Sequence, residues 1–243
     1  MAQNLKAAMA MEKVYRKLQD NRTAKDNFGY QDKLKSFGFA DTVEYEQAKA
    51  ENDLKTKPID VQYWQVSTYE ELDAYNKARE QDIKLGNNVL RFVTTTVPQV
   101  YIGVDCIDAD RQYCEDNKLL VYPCPGKSAF VTSEFDLQIC LTHQNHNLGK
   151  LLFEKLRKAL TELGLDCEIS GNDILVAGNK IVGSADWDMG LVSYYGYGIT
   201  FQPDYELIDA VCHKPRTKVP RGISEVSDIK RDDLVEKVKS WLQ

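Results

Sequence analysis

The spacing of apolar positions changes near residue 60 and divides the chain into two regimes. Before that point, Leu5, Met11, Tyr15 and Leu18 fall on one side of a helical wheel, with Lys, Arg, Asp and Gln elsewhere, which predicts an amphipathic helix. Asp41 followed by Glu44 reads as a helix start, and Val43, Ala48 and Ala50 give a weak, highly charged helix after it. Between them, Phe28-Gly29-Tyr30 and Phe37-Gly38-Phe39 put aromatics beside turn-forming glycines. The expectation is a helical N-terminal extension over residues 1–60, closing near Lys55 to Pro58, its charge a solvated face.

From Val61 onward, strand and helix patterns mix. Ser67-Thr68-Tyr69-Glu70 reads as a capping box in which the Ser and Glu side chains each satisfy an orphan amide, so a helix is predicted to about Ile83. β-type runs follow at Val89–Thr95 and Val100–Gly103, separated by Pro98. In Glu134–Leu141, Phe135, Leu137, Ile139 and Leu141 alternate with Asp136, Gln138 and Cys140, which predicts a strand buried on one face and exposed on the other. Leu148, Leu152, Leu156, Leu160 and Leu163 make the apolar face of a helix ending at Gly164. Two strands then flank Gly178-Asn179, residues that tolerate the positive φ of a tight hairpin turn. A β-prone stretch, Leu191–Phe201, precedes Pro203, which suits the first position of a helix. A last helix starts at Asp232 or Asp233 and docks Leu234, Val238, Trp241 and Leu242. Without regular βαβ alternation the expected class is α+β, with residues 61–243 as the main domain.

Composition narrows what such a chain does. A 10% aromatic content excludes low-complexity disorder, and 14 Gly and 7 Pro exclude a collagen-like chain. No apolar run is long enough to span a membrane, and residues 1–11 lack the pattern of a signal peptide. The net charge of −6 argues against general nucleic-acid binding. Six scattered cysteines with no Cys-x-x-Cys pair read as reduced thiols, which with the missing export signal predicts a cytoplasmic protein.

The chemistry concentrates in one segment. Lys180 follows a predicted hairpin turn, and its strand continues as Gly183-Ser184-Ala185, small residues that admit a ligand close to the backbone. A rigidly held ammonium suits a phosphate or an acyl oxygen that gains negative charge during reaction; the alternative is a surface hairpin with a solvated lysine. His143 and His146 lie in a polar turn and read as exposed loop histidines rather than metal ligands. Cys212 falls in a predicted helix and reads as a buried thiol rather than a nucleophile. The basic run from His213 to Arg221 is either a solvated linker or a patch that steers an acidic partner. Gly126-Lys127-Ser128 lacks the spacing of a Walker phosphate loop.

Asn172-Asp173-Ile174 followed by Gly178-Asn179-Lys180-Ile181-Val182-Gly183-Ser184-Ala185 resembles the signature of the lipoate–protein ligase family, within the wider biotin/lipoate ligase and octanoyltransferase group. The similarity continues in register through the Leu148–Leu163 helix, Gly198-Ile199-Thr200-Phe201 with Asp204 and Leu207, Gly222-Ile223-Ser224-Glu225-Val226, and upstream Pro98–Gly103. About residues 65–240 align in this way. The resemblance implies a central mixed or antiparallel sheet with helices on one side and an acyl-adenylate site on the other. It implies ATP and Mg, a lipoate-like acid, and a small lipoyl-type acceptor domain whose lysine receives the acyl group. By the same resemblance Lys180 contacts acyl and phosphate oxygens. Asn172 and Asp173 lie at the nucleotide end, with Asp173 toward the metal, and Gly183, Ser184 and Ala185 line the ligand.

The chain departs from that pattern where the family carries an Arg-Arg-x-(Ser/Thr)-Gly-Gly-Gly loop and a His-Asp pair. Here the stretch runs Pro123-Cys124-Pro125-Gly126-Lys127-Ser128, with one glycine, no arginine, and Thr132-Ser133 in place of His-Asp. Gly126, Lys127 and Ser128 are what the loop retains for binding phosphate. Two functions follow as expectations: a ligase or transferase of a lipoate-like acyl group, or a catalytically degenerate member that binds a ligand or a partner and requires no cofactor.

Overall fold

A computed structural model describes residues 42–103, 106–124, 129–213 and 220–242, with Lys35 and Ala40. They fall into two units, divided between Pro58 and Ile59. The predicted helix around Leu5–Leu18 and the loop residues Gly126, Lys127 and Ser128 lie outside the described residues. In the first unit, helix α1 (Thr42–Thr56) buries Tyr45, Ala50 and Leu54, whereas Val43, expected on the apolar stripe, is exposed.

The second unit is built on a seven-stranded sheet. Its strands are β1 (Asp60–Gln65), β2 (Val89–Thr94), β6 (Leu137–His143), β7 (Cys167–Ser170), β8 (Asp173–Val176), β9 (Asn179–Asp188) and β10 (Ser193–Ile199), in the order β1-β2-β6-β10-β9-β8-β7. Only β1 and β2 are parallel among these neighbours, joined by helix α2 (Tyr69–Leu85) as a parallel pair requires. The sheet is thus mostly antiparallel, and the class is the expected α+β. A second sheet of β4 (Leu120–Cys124), β3 (Gln99–Gly103) and β5 (Ala129–Thr132) packs with the short helices α3 (Arg111–Asp116) and α5 (Tyr205–Val211) around Val100, Ile102, Val131, Leu207 and Val211.

The large sheet has two unlike faces. On one, Leu137, Ile139 and Leu141 of β6 and Tyr195, Tyr197 and Ile199 of β10 are buried. Helix α4 (Gly149–Glu162) lies there, with Phe153 stacked on Tyr197 and Leu148 N donating to Tyr195 Oη. Helix α6 (Arg231–Lys239) borders α4 through Lys237–Glu162 at 3.1 Å. The opposite face is aromatic and polar. Trp64 of β1 meets Tyr75 of α2, and Tyr101 and Tyr122 of the small sheet stack over Gln138 of β6. Helices therefore cover both faces, not one, because the crossover from β1 to β2 carries α2 over the second face.

This covering corrects the expectation of a half-exposed strand at 134–141. The strand begins at Leu137, and Cys140 and Thr142 on its polar face are as buried as its leucines. Phe135 is exposed, while Asp136 turns inward and accepts from the amides of Ser133, Phe201 and Gln202. Helix α2 is capped one residue later than predicted, by Thr68 with Glu71, because Ser67 Oγ is taken by the Thr96 amide. It ends on Gly86 in the left-handed region at φ 70°. Helix α5 opens after the Asp204 cap, so Pro203 precedes it, and the half-buried Cys212 is its C-cap residue. Trp241 and Leu242 are half-buried beyond α6. Among the described residues five cysteines are free thiols, and no helix is long and apolar enough to cross a membrane.

Candidate functional site

The β8–β9 hairpin turns on Ala177 and Gly178, both at positive φ (48° and 76°), so Asn179 already belongs to β9 rather than to the turn. The ladder pairs Leu175 with Lys180 and Val176 with Asn179, but Ile174 with Val182, which leaves Ile181 as the extra residue of a β-bulge. That bulge decides where Lys180 points. In a regular strand residues three apart face opposite sides; one inserted residue restores parity, and Lys180 folds onto the same face as Gly183. A Cβ on Gly183 would lie 2.9 Å from Lys180 Nζ and 3.0 Å from its Cε.

Asp173 pairs with Gly183 across the ladder and so shares this face. Its Oδ1 is 2.7 Å from Lys180 Nζ, with the two side chains 18% and 30% exposed, a partly shielded pair within reach of a ligand. Behind the lysine, the Arg221 amide donates to Lys180 O at 2.8 Å. Gly222 fixes this segment, since a Cβ there would sit 2.4 Å from Phe201 O. Asn172 takes part through its backbone: its carbonyl accepts from the Ser184 amide and the Ser184 hydroxyl. Ser184 alternates with Gly183 along the strand and therefore faces away from Lys180.

Gly183 is register partner of Gly198, and Ala185 of Gly196. Four neighbouring positions with at most a methyl group thus form a floor on the aromatic face, with Lys180 at one end. Rings of the chain itself lie on it. Phe130 of β5 approaches to 2.6 Å of a Cβ placed on Gly198, and Tyr194 to 2.8 Å of one on Gly196. Tyr194 Oη donates to Cys140 Sγ at 2.9 Å, and its ring lies against Trp187 and under Arg79. Burial raises both the Tyr194 phenol and the Cys140 thiol, so each is neutral near pH 7.

The sequence motif is therefore divided. Lys180, Asp173, Gly183 and Ala185 share one face, Asn172 contributes its carbonyl behind it, and Ser184 lies on the other side. Arg79, Phe130 and Tyr194 were not singled out from the sequence; the alternation of Tyr194, Gly196 and Gly198 with buried Tyr195, Tyr197 and Ile199 was the available signal.

The histidines are not loop residues alike. His143 is completely buried at the end of β6, where its Nδ1 accepts from the Asn145 amide. His146 contacts Ser193 Oγ at 2.8 Å and Asp188 at 3.2 Å through the same Nδ1, which is not the relay geometry of a hydrolase. From the basic run, His213 bonds Asp110 and Arg221 pairs with Glu225. A cleft of about 400 Å³ between Pro98, Phe135 and Pro203, and another of about 510 Å³ along α6, are lined by none of Lys180, Asp173 and Gly183. Among the described residues no three His, Cys, Asp or Glu side chains cluster as metal ligands. Asp173 is a hard oxygen donor, and magnesium is commonly held by one or two carboxylates plus phosphate oxygens and water. The Asp173 Oδ1 bonds Lys180 Nζ at 2.7 Å, so this end of the floor offers an ion a single, already paired carboxylate.

No protein-family model matches the sequence, and no curated protein matches it. Solved structures do match. P. falciparum LipL1, in complex with lipoate, is similar with a TM-score of 0.63 and 15% identity over 76% of this chain and 61% of its own. The chain thus spans about three fifths of that protein. A bipartite lipoate protein ligase from Thermoplasma acidophilum, studied with its E2 lipoyl domain, gives 0.59 and 15% over 75% of this chain and 81% of its own. Lipoate-protein ligase A bound with ATP gives 0.62 and 19% over 75% and 83%. The chain has the fold of the lipoate–protein ligases.

Proposed function

We propose that this protein binds a lipoate-type acid, or its acyl-adenylate, on the floor between β9 and β10 and passes the acyl group to a lysine of a small lipoyl-type acceptor domain. The observation that carries this reading is the bulge-directed placement of Lys180 over Gly183, paired with Asp173, in the fold of proteins solved with lipoate and with ATP. ATP and magnesium are what such chemistry uses: Asp173 is the residue that would hold the ion, and Lys180 the one that would hold phosphate oxygens.

In the transfer step, the acceptor amine attacks the acyl carbon, the C–N bond forms, the bond to the phosphate oxygen breaks, and the amine proton leaves to solvent. Negative charge grows first on the carbonyl oxygen and then on the departing phosphate. An ammonium fixed beside both stabilises the transition state more than the ground state, and its effect is strengthened where water is partly excluded. Asp173 keeps Lys180 folded over the floor until an anion competes for it.

A second reading has its own observation. Phe130 and Tyr194 fill the floor, and the stretch Pro123–Ser128 lacks the family's arginines, which favours a degenerate protein that binds a ligand or partner without activating it. ATP–pyrophosphate exchange with lipoate, octanoate and biotin, run beside Lys180→Ala, separates the two. Acid-dependent exchange lost in the variant supports the first. No exchange with any acid, together with no binding of an acyl-AMP mimic, removes it; exchange unchanged in the variant removes the role of Lys180.

A further inference from the structure

The sheet face that carries Lys180 also carries unmatched positive charge at its far end. Arg79, on the inner side of α2, lies 5.9 Å from the Tyr75 ring centroid and 5.8 Å from that of Tyr194, and among the described residues it makes no ion pair. Arg91 of β2 is completely buried; its Nη2 bonds Asp82 of α2, while its Nε and Nη1 have no hydrogen-bond partner. Arg91, Cys140 and Gly196 form one row across β2, β6 and β10, so Arg91 belongs to the layer that the Tyr194 ring occupies.

Of these two guanidiniums only Arg91 pairs with a carboxylate, Asp82, among the described residues. Burial raises the Tyr75 and Tyr194 phenols and the Cys140 thiol, so these groups stay neutral and supply no compensating charge. A buried N–H without an acceptor is unfavourable, and Arg91 holds its Nε and Nη1 in that state. An alkyl or dithiolane tail reaching this wall would satisfy none of these groups, whereas a carboxylate would take charge-assisted bonds from both arginines. The spacing agrees: Gly183, under the lysine, and Arg91 lie three strands apart across β9, β10, β6 and β2 and two residues apart along them, about 16 Å. An extended eight-carbon diacid with a hydrogen bond at each end spans about that length.

The geometry points to a medium-chain dicarboxylic acid as the class of substrate, one carboxyl at Lys180 and the other at Arg79 and Arg91, with the Tyr194 ring displaced from Gly196. This rests on the acyl-binding reading above and specifies its acid. The second carboxylate replaces what Tyr194 gives up, its stacking under Arg79 and its bond in the Cys140 row. It also places on α2 and β2 the arginines that the 123–128 stretch lacks.

The test is calorimetric binding of octanedioate, octanoate and lipoate to the full chain, in wild type, Arg79→Gln, Arg79→Lys and Lys180→Ala. Octanedioate is expected to bind about tenfold tighter than octanoate to wild type, as a charge-assisted pair implies. Arg79→Gln is expected to lower that ratio but leave it above one, because Arg91 still meets the second carboxylate, Arg79→Lys to retain most of it, and Lys180→Ala to weaken both acids. Lysine-dependent binding of octanoate or lipoate as tight as that of octanedioate overturns the dicarboxylate assignment and leaves acyl binding standing. Binding of no acid at all overturns both. If Arg79→Gln does not fold, the wild-type ratio decides, since a ratio of one or less overturns the assignment.

Discussion

Asp136 offers the sharpest quantitative test of how this fold is held. It is 3% exposed, and it receives the amides of Ser133 at 2.9 Å, Phe201 at 2.7 Å and Gln202 at 3.1 Å. Burial disfavours the carboxylate and the three amides favour it; burial is the larger effect, and the group titrates at about 6 against an ordinary 3.8. A folded pKa above the unfolded one means the native state holds the proton more tightly. The stability contributed is therefore complete below about pH 4 and is lost as pH rises through about 6. A shift of about two units corresponds to about 3 kcal/mol. Urea unfolding of wild type and Asp136→Asn at pH 4 to 8 isolates this group, because other titrations cancel in the difference. Asn cannot ionise, and its amide group meets one of the three donors, which costs about 1–3 kcal/mol at every pH. The stability advantage of wild type over the variant should shrink by about 3 kcal/mol between pH 4 and 7 and then level off. A difference that is flat, or that grows with pH, would show that the three amides outweigh burial and would refute the reasoning. The site depends on this anchor, because Phe201 in turn contacts Gly222 beside the segment that bonds Lys180.

Other perturbations address the site and its frame. Gly183→Ala pushes only the flexible end of Lys180, so its melting temperature should stay near wild type while affinity for a nonhydrolysable acyl-AMP mimic falls about tenfold, measured by ligand-dependent thermal shift; unchanged affinity would remove the placement of Lys180 from the reading. Gly222→Ala meets backbone instead, and should lose about 1–3 kcal/mol in urea unfolding because neither the Phe201 carbonyl nor Pro203 can move away cheaply. Thr68→Ala removes the observed cap of α2 and should cost about 1 kcal/mol, whereas Ser67→Ala, at the cap expected from sequence, should not disturb the α2 terminus in amide hydrogen exchange.

Local chemistry and the short-range pattern were enough to place much of this protein. The leucine spacing of α4 located a helix that exists, because one apolar stripe needs only one surface to bury it. The Thr68 region announced its helix, since a cap is a bond between residues three apart, whereas the helix expected to open on Pro203 begins only after the Asp204 cap. The Asn172–Ala185 signature located the lysine and indicated the fold before any coordinates. What the pattern could not supply was parity and partnership across strands. A single bulged residue, Ile181, decides that Lys180 shares a face with Gly183 and Asp173, and nothing in the alternation of apolar residues marks which residue is extra. Likewise Gln138, Cys140 and Tyr194 look like a solvent face, yet they are covered by α2 and the small sheet, with Gln138 bonded to Tyr101 and Tyr194 to Cys140. Residues 79, 91, 140 and 196 come together only once strand order and register are set. Side-chain polarity along the chain determined where helices and strands form; register, which depends on pairing between distant residues, decided which of them meet and therefore where a ligand can bind.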